Sequence, residues 1–252
     1  IFLKISAVVI THNEENNILA CLESIRWVDE IIVLDTHSTD KTVELARAFG
    51  AKVYQETAWD GFGPQKNKAI QYANGDWILS IDADERITPK LAKEISEQIK
   101  NHSEVEGILV PRLSSYCGKF LKHGGWWPDY VLRLCRKGRG VFSDNLVHEK
   151  LLVSGATIKL KNHIIHYSFE NFEQVLGKID KYSSLGARQL VLRGKTYGLG
   201  AALLHALSTF LKTYLLKAGF LDGQYGLMLA ISNAEGTYYK YLKVMLLQKS
   251  DK

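Results

Sequence analysis

The chain has 252 residues, 46% of them hydrophobic and 23% charged, with 32 Lys and Arg against 27 Asp and Glu. That composition excludes disordered and fibrous classes and leaves room for one large domain with an appendage. The net charge of +5 is unevenly spread: residues 1–149 carry 18 basic and 21 acidic side chains, and residues 150–252 carry 14 and 6.

The opening run Ile5-Ser6-Ala7-Val8-Val9-Ile10 reads as a buried strand with no leader cleavage site, and the missing initiator Met leaves the native start open. Glu14 and Glu15 are expected in the first turn of a helix that carries Ile18, Leu19, Leu22 and Ile25 at helical spacing. Glu30–Asp35 is a second buried strand. Ser38 or Thr39 is expected to cap a helix through Val43, Ala46 and Phe49, stopped by Gly50. A strand near Lys52–Tyr54, a loop with Gly61, Gly63 and Pro64, and a helix ending at Asn74-Gly75 come next. Trp77–Ile81 is a strand that delivers Asp82-Ala83-Asp84-Glu85, and Thr88-Pro89 starts a helix burying Leu91, Ile95 and Ile99.

Strands alternating with helices on short connections predict a mostly parallel α/β sheet with helices on both faces. Ligands of such sheets sit at the carboxyl ends of the strands, which places Thr11–Glu14, Asp35 and Asp82–Glu85 on one edge. Residues 107–112, 131–135, 147–153 and 156–160 read as short strands between Gly-rich and aromatic loops, and the pattern is helical beyond residue 170. Cys21, Cys117 and Cys135 are widely spaced without a CxxC pair. They are read as small buried hydrophobes of a reducing compartment. No uninterrupted apolar run reaches transmembrane length, so a cytosolic or membrane-surface protein is expected.

Asp82-Ala83-Asp84 is the sharpest local signal. Two carboxylates two residues apart repel each other, and a divalent cation set between them and a polyphosphate relieves that cost. A solvated turn at the strand end is the plain alternative, against which the shared edge weighs.

Four ordered stretches carry a resemblance: Val8–Glu15, Val33–Thr42, Lys66-Asn67-Lys68-Ala69 and Ile81–Glu85. Together they are similar to the nucleotide-sugar half of family-two glycosyltransferases, inverting enzymes of GT-A, Rossmann-like fold, over roughly residues 4–100. Trp126-Trp127-Pro128-Asp129, Arg133-Leu134, Val147-His148-Glu149, His166-Tyr167, Lys178, Lys181-Tyr182 and Gly219–Gly223 resemble the bacterial branch that builds the lipopolysaccharide inner core. The resemblance implies transfer of glucose from UDP-glucose in β-1,4 linkage to a heptose. It also implies a GT-A catalytic domain over 1–168 (nucleotide-sugar half 1–100, acceptor half 101–168) and a C-terminal amphipathic helical region over 169–252.

Carried over position by position, the resemblance puts Thr11, Asn13 and Glu14 at the uracil and ribose. Asp35 falls at the uracil ring, Lys66 near the nucleotide, Asp82 at ribose and metal, and Ala83 at the nucleotide sugar. Asp84 becomes a ligand of Mg2+ or Mn2+ bridging the diphosphate, with His166 approaching the metal or diphosphate. Arg133 is expected to face the pyrophosphate or an anionic acceptor. Inversion needs a carboxylate to take the acceptor proton. The Glu-Asp pair common in the family is missing, and Glu149 stands in the corresponding stretch, with His148 to orient it or to contact phosphate. Asp129, after an aromatic pair suited to stacking on a sugar, is the alternative base.

The basic C-terminal part has Leu203, Leu207, Phe210, Leu211, Tyr214 and Ala218 at helical spacing, with Lys212 and Lys217 nearby. A second apolar helix runs from Leu227 to Leu247. Such helices suit an anionic membrane interface rather than a span, here the cytoplasmic face of the inner membrane, where a lipid-linked core oligosaccharide would be met. The plain alternative is packing on the catalytic domain. Nucleic acid is not expected as a partner, since no Arg-rich run accompanies the charge. The competing readings are the same fold with another nucleotide-sugar donor and surface-polysaccharide acceptor, a nucleotidyltransferase, and an inactive sugar-binding scaffold. The glycine-free loop Thr11–Glu15 counts against the nucleotidyltransferase, and the intact Asp82/Asp84 pair counts against the scaffold.

Overall fold

A computed structural model describes residues 3–144 and 149–250, except for the side chains of 249 and 250. β1 (Ile5–Thr11) is buried along almost its whole length. A strand apolar on both faces needs cover on both sides, which places it inside a parallel sheet. It pairs in parallel with β2 (Glu30–Thr36) on one side and with β4 (Trp77–Ser80) on the other, and β3 (Lys52–Glu56) runs parallel to β2. The register sets Thr11 opposite Asp35 and Val8 opposite Ser80, so the carboxyl ends of β1, β2 and β4 share an edge.

The other strands of the sheet are β5 (Glu85–Ile87), β6 (Val105–Tyr116), β8 (Asp129–Arg136), β11 (Ala156–Lys159) and β12 (Ile164–Phe169). The order is β3-β2-β1-β4-β8-β6-β12-β5, with β11 parallel to β6 and a short β7 (Lys119–Phe120) antiparallel to its end. β9 (Gly140–Phe142) and β10 (Leu151–Val153) form a separate hairpin. The predicted strand over 147–153 is described only from 151, because 145–148 lie outside the described residues. β5 and β9, three residues each, are too short to leave a periodic signal.

Alternation along the strands splits the core. Ala7, Val9, Val33, Leu79 and Ile81 face one side, with α1 (Ile18–Ser24), α2 (Thr42–Phe49) and α4 (Pro89–Asn101). Val8, Ile32, Leu34 and Ile78 face the other, with α3 (Phe62–Gln71). The expected α/β sheet with helices on both faces is therefore present. Thr88 caps α4 by accepting the Leu91 N–H at 3.2 Å, with Pro89 at the first helical position, and Gly50 closes α2 at φ +100°.

Three helix starts differ from expectation. α1 begins at Ile18, and Glu14 and Glu15 lie in the turn before it. α2 begins at Thr42, whose N–H is met by Asp40 at 3.0 Å, because Ser38 turns back to Asp35. α3 begins at Phe62 and includes Pro64, whose missing N–H falls where a first turn has no partner to give.

The chain forms two compact units, Ile1–Arg112 with Tyr130–His166, and Leu113–Asp129 with Tyr167–Lys252. The first holds the sheet edge described above. In the second, α5 (Phe172–Leu192), α6 (Leu199–Leu211) and α7 (Gly223–Ser250) pack with segment 113–129 around Tyr116, Leu121, Phe169, Val175 and Leu229. The Tyr116 hydroxyl meets Ser232 Oγ at 2.8 Å. A π-turn (Lys212–Leu216) extends α6, and a 3-10 turn (Gly219–Asp222) leads into α7.

No uninterrupted apolar run reaches spanning length, but one helix passes on its mean composition although Lys212 interrupts it. Window Leu199–Leu216 is long and apolar enough to cross a membrane by length and composition, the one such helix among the described residues, and only 11% of it is buried. The three cysteines are free thiols, with Cys21 and Cys135 buried and Cys117 partly so.

Candidate active site

β1 and β2 end side by side, and their last polar residues close on each other. Thr11 Oγ1 donates to Asp35 Oδ1 at 2.9 Å, and the Ser38 N–H donates to Asp35 Oδ2 at 3.1 Å. Asp35 is fully buried and Thr11 nearly so. Asn13 stands in the left-handed region at φ +56°, where its side-chain oxygen takes the Thr39 N–H at 2.8 Å and its own N–H reaches Ser38 Oγ at 2.8 Å. That geometry ties the loop after β1 to the loop after β2. The Glu14 N–H donates to Thr42 Oγ1 at 2.8 Å, and burial pushes the Glu14 carboxyl up from its ordinary value.

The end of β4 carries a row of charges. Lys66, on α3 and almost fully buried, sets Nζ 2.8 Å from Asp82 Oδ1 and 3.0 Å from Glu149 Oε1. Arg133, on β8, puts one nitrogen 2.6 Å from Asp82 Oδ2 and also on Glu85 Oε1, to which Arg112 comes within 3.6 Å. Three carboxylates thus alternate with three cations: Glu149, Lys66, Asp82, Arg133, Glu85, Arg112. Burial works against charge on Asp82, but Arg133 and Lys66 outweigh it and hold the carboxyl well below its usual range. Burial likewise opposes charge on Lys66, and Asp82 with Glu149 still raises its affinity for the proton.

Asp84 lies at the border of this row with a different partner, His166 on β12, whose Nε2 is 3.2 Å from Asp84 Oδ2. Ala83, between the two aspartates, is buried, and its carbonyl accepts from Arg86 at 2.7 Å. Among the described residues no group of three or more His, Cys, Asp and Glu side chains stands together as a metal cage. Both Asp82 oxygens are taken by cations, and Asp84 with His166 is the carboxylate–imidazole pair beside them. One carboxylate and one imidazole fit a cation that completes its shell with substrate phosphate and water.

Of the residues singled out from sequence, Thr11 and Asp35 come together at one strand pair. Lys66, Asp82, Arg133 and Glu149 come together in the charged row, and Asp84 meets His166. His148 lies outside the described residues. Asp129 belongs to the second unit with Trp126 and Trp127.

Sequence reasoning placed Glu85 on the ligand edge without giving it a role, and missed Arg112 and Gln65 as members of the site. Glu85 is fully buried between Arg133 and the Asp82 N–H, which it accepts at 3.1 Å. Its signal was an acid inside a stretch that otherwise packs as core. Gln65, also fully buried, donates to Thr36 Oγ1 at 2.6 Å and follows the glycines that open α3.

The family model described as Glycosyl transferase family 2 matches residues 6–146. A glycosyltransferase of Rickettsia typhi is 30% identical over 253 residues, spanning 96% of this chain and 86% of its own. The lipopolysaccharide core biosynthesis glycosyltransferase LpsC of Rhizobium meliloti is 28% identical, spanning 95% and 93%. Among solved structures, S. aureus TarS 1–349 is similar over 99% of this chain and 92% of that chain, with a TM-score of 0.51 at 17% identity, a likeness of fold alone. Together with the GT-A arrangement of its sheet, these matches show that the chain belongs to glycosyl transferase family 2.

Proposed function

We propose that this glycosyltransferase inverts the anomeric carbon as it moves glucose from UDP-glucose, in β-1,4 linkage, onto an inner-core heptose of lipopolysaccharide or lipooligosaccharide. It would act at the cytoplasmic face of the inner membrane. Kinship with a protein named for lipopolysaccharide core biosynthesis supports the acceptor class. The observation that carries the reaction is Lys66, which joins Asp82 of the donor edge to Glu149 at 2.8 and 3.0 Å. In this reading it holds a carboxylate of the acceptor half within one side chain of the nucleotide edge.

In this reading Thr11, Asn13, Glu14 and Asp35 receive the nucleoside. Lys66 and Arg133 hold Asp82 ionised and face the diphosphate with positive charge. The bond from the anomeric carbon to the diphosphate oxygen breaks as the acceptor oxygen attacks from the other side, and Glu149 takes the hydroxyl proton. The charged row is already neutral within itself, so an added diphosphate calls for an added cation. Mg2+ or Mn2+ at Asp84 and His166 would supply Lewis-acid neutralisation of the departing UDP.

Glu149→Gln should lower turnover by about 10^2–10^4-fold, the range typical of a lost general base, and leave UDP binding by calorimetry intact. Asp84→Ala should abolish Mn2+-dependent UDP binding and transfer together. Retained turnover in Glu149→Gln would move the base to Asp129. Retained Mn2+-dependent UDP binding in Asp84→Ala would remove the metal assignment. A nucleotide-sugar panel with truncated core lipopolysaccharide as acceptor decides the donor.

A further inference from the structure

α6 and α7 form an antiparallel hairpin. The Gln248 side chain donates to the Lys195 carbonyl, Tyr241 stacks on His205, and Gly226 lies against the Gly219 carbonyl, so partners descend in step along the two helices. Ala202 and Thr213 mark the buried side of α6 and its π-turn. The opposite side is a row of exposed leucines, Leu203, Leu204, Leu207, Leu211, Leu215 and Leu216, reaching 69% exposure at Leu204 and 83% at Leu216.

Charge frames that row with one sign. Between residues 193 and 234 the basic side chains are Arg193, Lys195, Lys212 and Lys217, all exposed, and the single acid is Asp222. Asp222 is already committed to His123: it accepts the His123 N–H at 2.8 Å and meets His123 Nδ1 at 3.0 Å. An apolar face rimmed by cations, on a segment 199–216 that itself carries no acid, matches the boundary between acyl chains and anionic headgroups.

Length and composition alone would let 199–216 span a bilayer, but the hairpin forbids it. In the antiparallel register, Glu235, Lys240 and Lys243 of α7 stand level with the middle of α6. Lys243 is bound there to Asp180 at 2.7 Å and to Ser184 at 2.7 Å. A spanning α6 would carry these charges into hydrocarbon, where each is costly.

We infer that α6 and its π-turn lie flat in the surface of an anionic phospholipid leaflet, with the leucine row immersed and Lys195, Lys212 and Lys217 at the headgroups. This rests on the reading that the acceptor is lipid-linked and names the residues that reach the lipid. Such helices sink their apolar face by about 5–10 Å.

The test is flotation of the full chain with phosphatidylethanolamine vesicles, with and without phosphatidylglycerol, alongside Leu204→Ser/Leu207→Ser. Capture by the anionic vesicles should fall on the order of a hundredfold in the double variant, because two leucine side chains no longer leave water. UDP release from UDP-glucose with a detergent-dispersed acceptor should stay at the native level in the same variant. Equal capture of both proteins overturns the proposal, as does failure of the native chain to bind anionic vesicles. A native dimer that the double variant converts to monomer also overturns it, since the leucines would then cover a second copy. Loss of UDP release in the native chain would instead remove the glycosyl-transfer reading and leave the lipid result standing by itself.

Discussion

Lys66 shows how one side chain can be both legible and incomplete in sequence. Its place in the order of motifs marks it as a nucleotide-edge residue, yet nothing local says that it binds two carboxylates. The partner Glu149 lies 83 residues away, and a buried cation stripped of such partners would cost about 3–5 kcal/mol. Glu30 makes the same point away from the site. Burial opposes its charge, but hydrogen bonds from Lys52, Ser6 and Asn74 prevail and hold its carboxyl down to about 2, below the ordinary 4.5. A lowered value contributes stability above pH 4.5 that is lost as pH falls toward 2. Glu30→Gln should therefore be less stable than the native chain by about 1–3 kcal/mol at neutral pH, and urea titrations should show the gap closing between pH 4.5 and 2. Residues at strand ends, such as Thr11, Asp35 and Asp84, could be placed on one edge from sequence because a parallel sheet brings those ends together. The pairing of Glu85 with Arg133 and Arg112 could not be read, since it depends on how β5, β6 and β8 fold beside β4.

At the level of elements, continuous apolar runs made β1, β2 and β4 readable, and Thr88-Pro89 and Gly50 gave α4 its start and α2 its stop. The start of α3 was obscured by its glycines, which suggest a loop. Gly63 is there for closeness instead: a Cβ on it would sit 2.1 Å from the Ser143 carbonyl oxygen. The approach is fastened by Asn67, which donates to the Phe142 carbonyl at 2.9 Å and accepts its N–H at 2.7 Å. Gly63→Ala pits a helix-propensity gain of about 1 kcal/mol against overpacking of about 1–3 kcal/mol. With rigid backbone on the far side the clash should win. Thermal melts should show a lower midpoint, and transfer should fall because Lys66 shifts on its helix relative to Glu149.

Across the whole molecule, the two halves of the charge ledger have separate settings. The acids of the first part include the carboxylates neutralised in the charged row, and four bases of the last part, Arg193, Lys195, Lys212 and Lys217, face solvent along an apolar helix. Vesicle capture should therefore respond to salt while nucleotide binding does so far less. The screening length shrinks from about 30 Å at 0.01 M to about 8 Å at 0.15 M. Flotation should drop steeply across that range, and calorimetric UDP affinity, set among buried groups, should change little.

Tyr116 has a consequence for how the chain comes into being. Its ring packs against Phe169, and its hydroxyl finds Ser232 116 residues downstream. During synthesis, segment 113–129 leaves the ribosome long before either partner exists, with Tyr116 and Leu121 bare. The second unit can close only when α7 has emerged. A message truncated before Leu229 would release a protein whose nucleotide-binding edge is already encoded but whose aromatic cluster stays open to chaperones and proteases.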